Sequence, residues 1–357
     1  MTRFEFIFNK IHGSLCNALI GDAMGSATEM MTPDEIRRTY NGRIVQFHPP
    51  APGTFAAGRR AGQLTDDSTQ MLEIVDAILE SGDQLKIEKI AEHLLTWADD
   101  AEMLKRFAGP STRKALALLR EGRSPYETGL PERTLNDLRV SNGAAMKVAP
   151  AGLAHPGDLK GAIADAVLIS TPTHCTNIAF SGAAAVAAAV AEALTAHPTP
   201  LSVADAAIYG AEEGDRIGKE QGNVVAGPSM CERLRLAVEI GATARYLDEA
   251  SARLAAVIGC GLHIAEAVPT AIGTFVAARG EPNQAVTAVV NLGDDSDTVA
   301  TITGAIAGAY AGFDALNRDL VDFLMNVNQL DLKPRVEALT RLALTRIENA
   351  SGERQDP

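Results

Sequence analysis

The sequence predicts an all-α protein, folded as a single compact multi-helix bundle. Three observations predict it. Apolar residues recur at helical spacing in segment after segment. Aromatic residues make up only 4% of the chain, and alternating strand patterns are almost absent. No serine-rich or proline-rich linker interrupts the 357 residues, so one domain over residues 1–347 is expected, with a frayed tail over 348–357.

The individual helices follow in order. "TQMLEIVDAILESG" places Met71, Ile74, Val75, Ile78 and Leu79 on one face and stops at Gly82. "IEKIAEHLLTWADDAEML", "STRKALALLREG", "GAIADAVLIS", "NIAFSGAAAVAAAVAEAL", "VADAAIYGAEEG", "SARLAAVIG", "IGTFVAARG" and "PRVEALTRLALTRIENA" read the same way. "GRIVQF", residues 42–47, is the one short strand candidate. Glycine-bearing loops fall at "HPPAPGTFAAGRRAGQ", "GRSPYETGLPERTLND" and "GKEQGNVVAGPSM", and ligands are often met on such loops.

Composition excludes several classes. A net charge of -13 argues against nucleic acid or an anionic membrane as partner. Four scattered cysteines with no paired spacing suggest neither a disulfide framework nor a zinc knuckle. Glu5, Asn9, Lys10 and His12 break the apolar N-terminus before a leader core can form. The longest apolar runs fall short of the ~20 residues that span a bilayer. A cytoplasmic protein is expected, of unspecified oligomeric state.

"LTDDSTQM" puts Thr65, Asp66 and Asp67 at a helix start. One acid is explained by capping, since Asp67 and Gln70 resemble a capping box and acids favour the positive end of a helix. The second acid is not. "NLGDDSDTVATITGAIAGAYAG" repeats the pattern with Asp294, Asp295, Asp297 and Thr298. Each cluster alone reads equally as cap or as ligands; two in one chain favour metal ligation. The donors are all hard oxygens, which suit Mg²⁺ or Mn²⁺ rather than Zn²⁺. Their number suits two ions sharing bridging oxygens. Gly304, Gly308 and Gly312, every fourth residue behind the second cluster, read as a face for close helix packing.

Five segments in order resemble the ADP-ribosylglycohydrolase family: "GDAMGSATE", "LTDDSTQM", "SNGAAMKVAPAGL", "THCTNIAFSGAAAVAAAV" and "NLGDDSDTVATITGAIAGA". The resemblance implies an all-α fold with two Mg²⁺ (or Mn²⁺) ions held by Thr65, Asp66, Asp67, Asp295, Asp297 and Thr298. It implies hydrolysis of a ribosyl glycosidic bond, with the ions holding the ribose hydroxyls and an attacking water. The general acid and base would be drawn from Asp66, Asp67, Asp295, Asp297 and the mobile Glu29. Gly109, Ser141, Asn142, Gly143 and His174 would cradle phosphate or ribose.

Each of these has a plainer reading. Glu29 also reads as a solvated acid, Gly109 as a turn before a Ser111-capped helix, Asn142–Gly143 as an ordinary turn, and His174 as a helix cap. Asp22 reads as a brace for a helix end. His12, His93, His155, His197 and His263 carry no site context. Two departures stand out: Asp294 occupies a glycine position of the family's GGDTDT pattern, and Ser296 a threonine position. Lys147 stands where many members carry arginine, and a lysine keeps the charge without the bidentate fork.

The expected substrate is an ADP-ribosylated side chain such as arginine. The alternatives are a small nucleoside-type riboside and, less favoured, a non-catalytic binding or structural descendant of the fold. Retention of all six presumed ligands argues against the last.

Overall fold

The computed structural model describes residues 1–132, 134, 137–221 and 223–351. Eighteen α-helices build them, and no strand forms among the described residues. The first seven are α1 (Arg3–Gly25), α2 (Pro33–Thr39), α3 (Asp66–Ser81), α4 (Ile87–Trp97), α5 (Ala101–Arg106), α6 (Pro110–Arg120) and α7 (Pro125–Thr128). The middle of the chain gives α8 (Ala149–Leu153), α9 (Leu159–Ser170), α10 (Asn177–Ala193), α11 (Pro200–Glu220), α12 (Met230–Thr243) and α13 (Leu247–Val257). The last are α14 (Ile264–Ala277), α15 (Pro282–Val290), α16 (Ser296–Ala311), α17 (Arg318–Asn328) and α18 (Lys333–Ser351). Helix α18 runs four residues beyond the expected domain end at 347, and the expected tail from 352 onward lies outside the described residues.

The centre of the bundle is the antiparallel pair α1 and α16, which meet backbone to backbone. A Cβ added at Gly21 would lie 2.2 Å from the Ala300 carbonyl oxygen, and one at Gly25 would lie 2.4 Å from the Asp297 Cα. From the other side, Gly304 faces Asn17 O at 2.3 Å and Gly308 faces Gly13 O at 2.2 Å in the same sense. Ser14 Oγ donates to Ala305 O at 2.8 Å and Asn17 Nδ2 to Gly304 O at 3.1 Å, pinning the crossing. Gly312 completes this packing face, since a Cβ at Gly13 would lie 2.5 Å from its carbonyl carbon, and at φ 83° it also ends α16. The alanine-rich α10 is wrapped similarly: Gly210 and Gly214 of α11 sit on its carbonyls.

Lys10 closes the far end of the pair. Its buried ammonium donates to Ala193 O, Ala309 O and Tyr310 O, the last carbonyls of α10 and α16. These are groups that a helix C-terminus leaves without partners, and a cation there also complements the helix dipoles.

The strand expected over residues 42–47 does not form. Asn291 stands in for a neighbouring strand: its Oδ1 accepts from Ile44 N and its Nδ2 donates to Ile44 O, both at 2.8 Å. Ile44 is thereby buried with both backbone groups satisfied, and no ladder is needed. The predicted helix over residues 87–104 is broken in two, because Asp100 accepts from the Glu102 and Met103 amides and starts α5 afresh. Gly109, followed by Pro110, is the N-cap of α6, so Ser111 does not cap it.

The packing makes a direct prediction. Gly21→Ala forces a methyl group into the Ala300 carbonyl and is expected to cost about 1–3 kcal/mol or more of stability. An unchanged urea-unfolding midpoint for this variant would contradict the backbone contact.

Candidate metal centre and substrate cleft

The α1–α16 crossing brings four chain segments to one point. Beyond α1, Met30 N donates to Asp294 O (2.7 Å) and Asp294 N to Met31 O (3.0 Å), which lays the segment carrying Glu29 beside Asp295 and Asp297. Ser296 Oγ donates to Gly25 O (3.1 Å) and shares a hydrogen bond with Thr28 Oγ1 (2.9 Å), so the residue at the family's threonine position fastens the start of α16 to the end of α1. Carboxylate oxygens of Glu29, Asp295 and Asp297 consequently lie within 4.8 Å of one another.

Helix α3 supplies the opposite wall. Thr65 is its N-cap, accepting from Asp67 N at 3.3 Å and donating to Asp22 Oδ1 at 2.6 Å. Asp22, fully buried, also receives the Thr65 and Ser68 amides at 3.0 and 3.2 Å, so it braces the helix start as expected. The Asp67–Gln70 capping box does not form. Gln70 Nε2 instead donates to Asp66 Oδ2 at 3.2 Å, and its Oε1 accepts from Lys147 at 3.2 Å. The Asp67 and Ser68 amides are thus capped by Thr65 and Asp22, and the Asp67 carboxylate takes no part in the capping.

Asp66, Asp67, Asp295, Asp297, Thr298 and Glu29 all line one cleft of about 630 Å³, together with Gly109, Ser141, Asn142 and Gly143. Asn142 Nδ2 donates to Asp295 Oδ2, joining the "SNG" turn to the acidic cluster. Two predicted site residues stand behind the wall. Thr65 is fully buried under the acids, and His174 is fully buried behind Ser141, whose Oγ lies 2.8 Å from its Nε2. His174 does not cap a helix; Thr176 is the N-cap of α10. Lys147 is fully buried too, its ammonium on Gly143 O at 2.6 Å. It is a counter-charge beneath Asp66 and Asp67, and it does not line the cleft.

The electrostatics of the bare protein are unfavourable by design of the fold. Burial, then the charges of Asp295, Asp66 and Asp22, push Glu29 up to about 9. Burial and Asp22 push Asp66 up to about 8 against the pull of Lys147. Asp67 and Asp297 are raised well above the ordinary carboxylate range, by burial and then by Asp66 and Glu29 respectively. Glu29 Oε2 and Asp67 Oδ2 are buried with no hydrogen-bond partner among the described residues. Orphaned buried oxygens inside a set of hard anionic donors fit divalent cations such as Mg²⁺ or Mn²⁺.

The family model for ADP-ribosylglycohydrolase matches residues 5–354. The uncharacterised protein YegU of Escherichia coli is 31% identical over 335 residues, 93% of this chain and 96% of its own. The chain belongs to the ADP-ribosylglycohydrolase family. It is accordingly a glycosidase. The ADP-ribosylhydrolase ARH3 of Homo sapiens is 27% identical over 86% of each chain. A solved ADP-ribosylglycohydrolase-related protein complex shares the fold, with a TM-score of 0.68 at 20% identity over 96% of this chain and 99% of that one.

Membership explains the departure at Asp294. The family's two glycines correspond to Gly293 and Asp294, at φ 74° and φ 56°. Gly293 is sterically fixed, since a Cβ there would lie 1.8 Å from Met31 O. Asp294 needs only the left-handed conformation, which a short polar side chain tolerates. Its carboxylate is exposed and does not line the cleft.

Sequence reasoning passed over other cleft residues. Phe55 and Phe107 meet edge to face at 5.8 Å, with the Arg59 guanidinium 4.7 Å from the Phe107 ring centre. Arg106 ties the Phe55 loop down through Ala57 O. His263 also lines the cleft. These residues sit singly in loops or at helix ends, where no periodic pattern marks them.

Two predictions follow from the geometry. Asp294→Gly is expected to hold stability within about 0.5 kcal/mol, whereas Asp294→Val, β-branched at positive φ, costs about 1–2 kcal/mol; equal denaturation midpoints for the two variants would contradict the backbone account. The carboxyls of the metal-free fold hold protons above their unfolded range, so the stability tied to those protons is complete below about pH 4 and is lost as pH rises through about 8–9. A divalent cation held by these carboxyls would replace the protons. The rise in melting temperature on moving from chelator to saturating Mn²⁺ or Mg²⁺ is therefore larger at about pH 7.5 than at about pH 5.5, a contrast that scanning calorimetry at the two pH values measures.

Proposed function

We propose that this glycosidase is a Mg²⁺-dependent hydrolase that removes ADP-ribose from a modified side chain, with arginine as the leading candidate. The observation that carries the reading is the convergence of Glu29, Asp295 and Asp297 on one point of the cleft, with the Glu29 Oε2 unpartnered. Thr65, Asp66, Asp67, Asp295, Asp297 and Thr298 are the residues that would hold two ions. Thr65 suits that role because its proton is committed to Asp22, leaving lone-pair density on its oxygen. When bound, the ions supply electrostatic anchoring of the ribose diol and acidify an attacking water.

The chain's own groups account for the remaining chemistry. Breaking the bond at the anomeric carbon develops positive charge there, and the clustered carboxylates favour it. Water adds to that carbon as the bond to the leaving nitrogen breaks. Glu29 takes the water's proton and returns one to the leaving group: its Oε2 has no hydrogen-bond partner among the described residues, and unlike Asp67, whose Oδ2 is also unpartnered, it is not one of the residues that would hold the ions. Asp66 and Asp297 orient the sugar from opposite walls. Gly109, Ser141, Asn142 and Gly143 cradle phosphate or ribose along the cleft, with His174 acting through Ser141. A guanidinium leaving group carries positive charge, which the acidic end of the cleft attracts.

Among the described residues, no helix is long and apolar enough to cross a membrane. All four cysteines are free thiols, which suits action in a reducing cytoplasm.

The test is release of ADP-ribose from ADP-ribosyl-arginine, with and without chelator, beside a nucleoside panel. Glu29→Gln and Asp297→Asn are expected to lower kcat by about 100-fold or more, and chelation to abolish release. Nucleoside cleavage without ADP-ribose release would replace the proposed substrate by a small riboside.

A further inference from the structure

One wall of the cleft is made by two short extended segments. Asn142 N donates to Leu262 O (2.9 Å) and Ile264 N to Val140 O (3.0 Å), so Ser141 and His263 stand opposite each other as an antiparallel bridge pair. Directly opposed residues project to the same face with Cβ atoms ~4.5–5.5 Å apart, and both of these line the cleft.

The hydrogen-bond polarity of both side chains follows from their partners. His263 is the N-cap of α14, and its Nδ1 accepts from Ala265 N at 3.1 Å. Burial holds its pKa below the ordinary histidine value, so the ring is neutral near pH 7. A neutral ring that accepts at Nδ1 carries its proton on Nε2, and that N–H has no hydrogen-bond acceptor among the described residues. Ser141 Oγ lies 2.8 Å from His174 Nε2, and His174 Nδ1 lies 2.8 Å from Thr173 Oγ1. Thr173 is fully buried, and His174 Nδ1 is the one acceptor its hydroxyl proton reaches among the described residues. The proton order is therefore Thr173 to His174 Nδ1 and His174 Nε2 to Ser141. That order leaves the Ser141 hydroxyl proton free for the cleft.

We propose that His263 is a specificity-determining residue: its Nε2–H and the Ser141 hydroxyl form a paired-donor seat for a phosphate oxygen of the substrate. The seat rests on the proposed ADP-ribosyl reading and sharpens it, since two donors reward a phosphate-bearing riboside over an uncharged nucleoside. It also fixes a purpose for the buried Thr173–His174 pair, which positions Ser141 as a donor without touching the ligand.

Two variants separate recognition from helix capping. Asparagine is a strong N-cap, so His263→Asn keeps an acceptor for Ala265 N but is too short to place a donor where Nε2 stands. Glutamine reaches that point with an N–H donor and is the weaker cap. Calorimetric titration of the Mg²⁺-loaded protein with ADP-ribose and with adenosine reads the effect. His263→Asn is expected to weaken ADP-ribose binding by about tenfold or more while leaving adenosine binding within about twofold and the melting temperature near that of the unmodified protein. His263→Gln is expected to restore most of the ADP-ribose affinity. ADP-ribose binding unchanged in His263→Asn, or an equal loss for both ligands, would overturn the seat while leaving the proposed activity standing. Failure of the unmodified protein to bind ADP-ribose would overturn both.

Discussion

Everything at the site depends on how closely α1 and α16 approach. Gly25 rests on the Asp297 backbone and Gly21 on the Ala300 carbonyl, so the end of one helix and the start of the other share the space that side chains would otherwise fill. That contact decides which groups meet. Asp22 sits on α1 within reach of the α3 start, and Glu29 follows a few residues later, beside the start of α16. A crossing set by side-chain ridges would hold the axes ~8–10 Å apart and would spread these carboxylates. The Lys10 clamp then ties the opposite end of α16, the helix whose start borders the cleft, to the end of α10.

The fold bears a cost for this arrangement. Several buried carboxylates repel one another, and burial and that repulsion raise their proton affinity. Lys147, buried beneath the acids, offsets part of the charge, but it is committed to Gly143 O and Gln70. The remainder is left for a cation from solution, the logic by which metal sites trade folding stability for binding energy. Lys147 thus has a role unlike the one its place in the family pattern suggests. Arginine's fork offers recognition of a diphosphate; this lysine offers charge balance where no ligand reaches it.

Much of this was legible in the sequence, and the reasons are physical. Helix α3 shows a clean amphipathic period because one face is solvated, and both acidic clusters announce themselves at helix starts. Helix α1 gives no such period: from Ile11 to Gly25 every residue is buried, so the sequence is apolar without alternation. The expected strand at residues 42–47 failed because a side-chain amide can satisfy a backbone as a strand would. His263 carries no site context in the sequence, and in the fold it caps the start of α14. Its position in the cleft comes from pairing with Val140–Asn142, a long-range contact that local pattern does not encode.

The crowded acids at the start of α3 show how a cap and a metal site are told apart. A helix start needs its first amides satisfied, and one acceptor at the N-cap usually meets that need. Here Thr65 accepts the Asp67 amide, and Asp22, from another helix, accepts those of Thr65 and Ser68. With the Asp67 and Ser68 amides met from outside the pair, Asp66 accepts from Gln70, and among the described residues Asp67 keeps one oxygen without a hydrogen-bond partner. The same holds at α16, where Asp295, the N-cap residue, makes no side-chain cap bond and turns its carboxylate to Asn142. Acids such as Asp67 and Asp295, which burial makes costly and which cap no helix amide, are the groups that a cation from solution would stabilise.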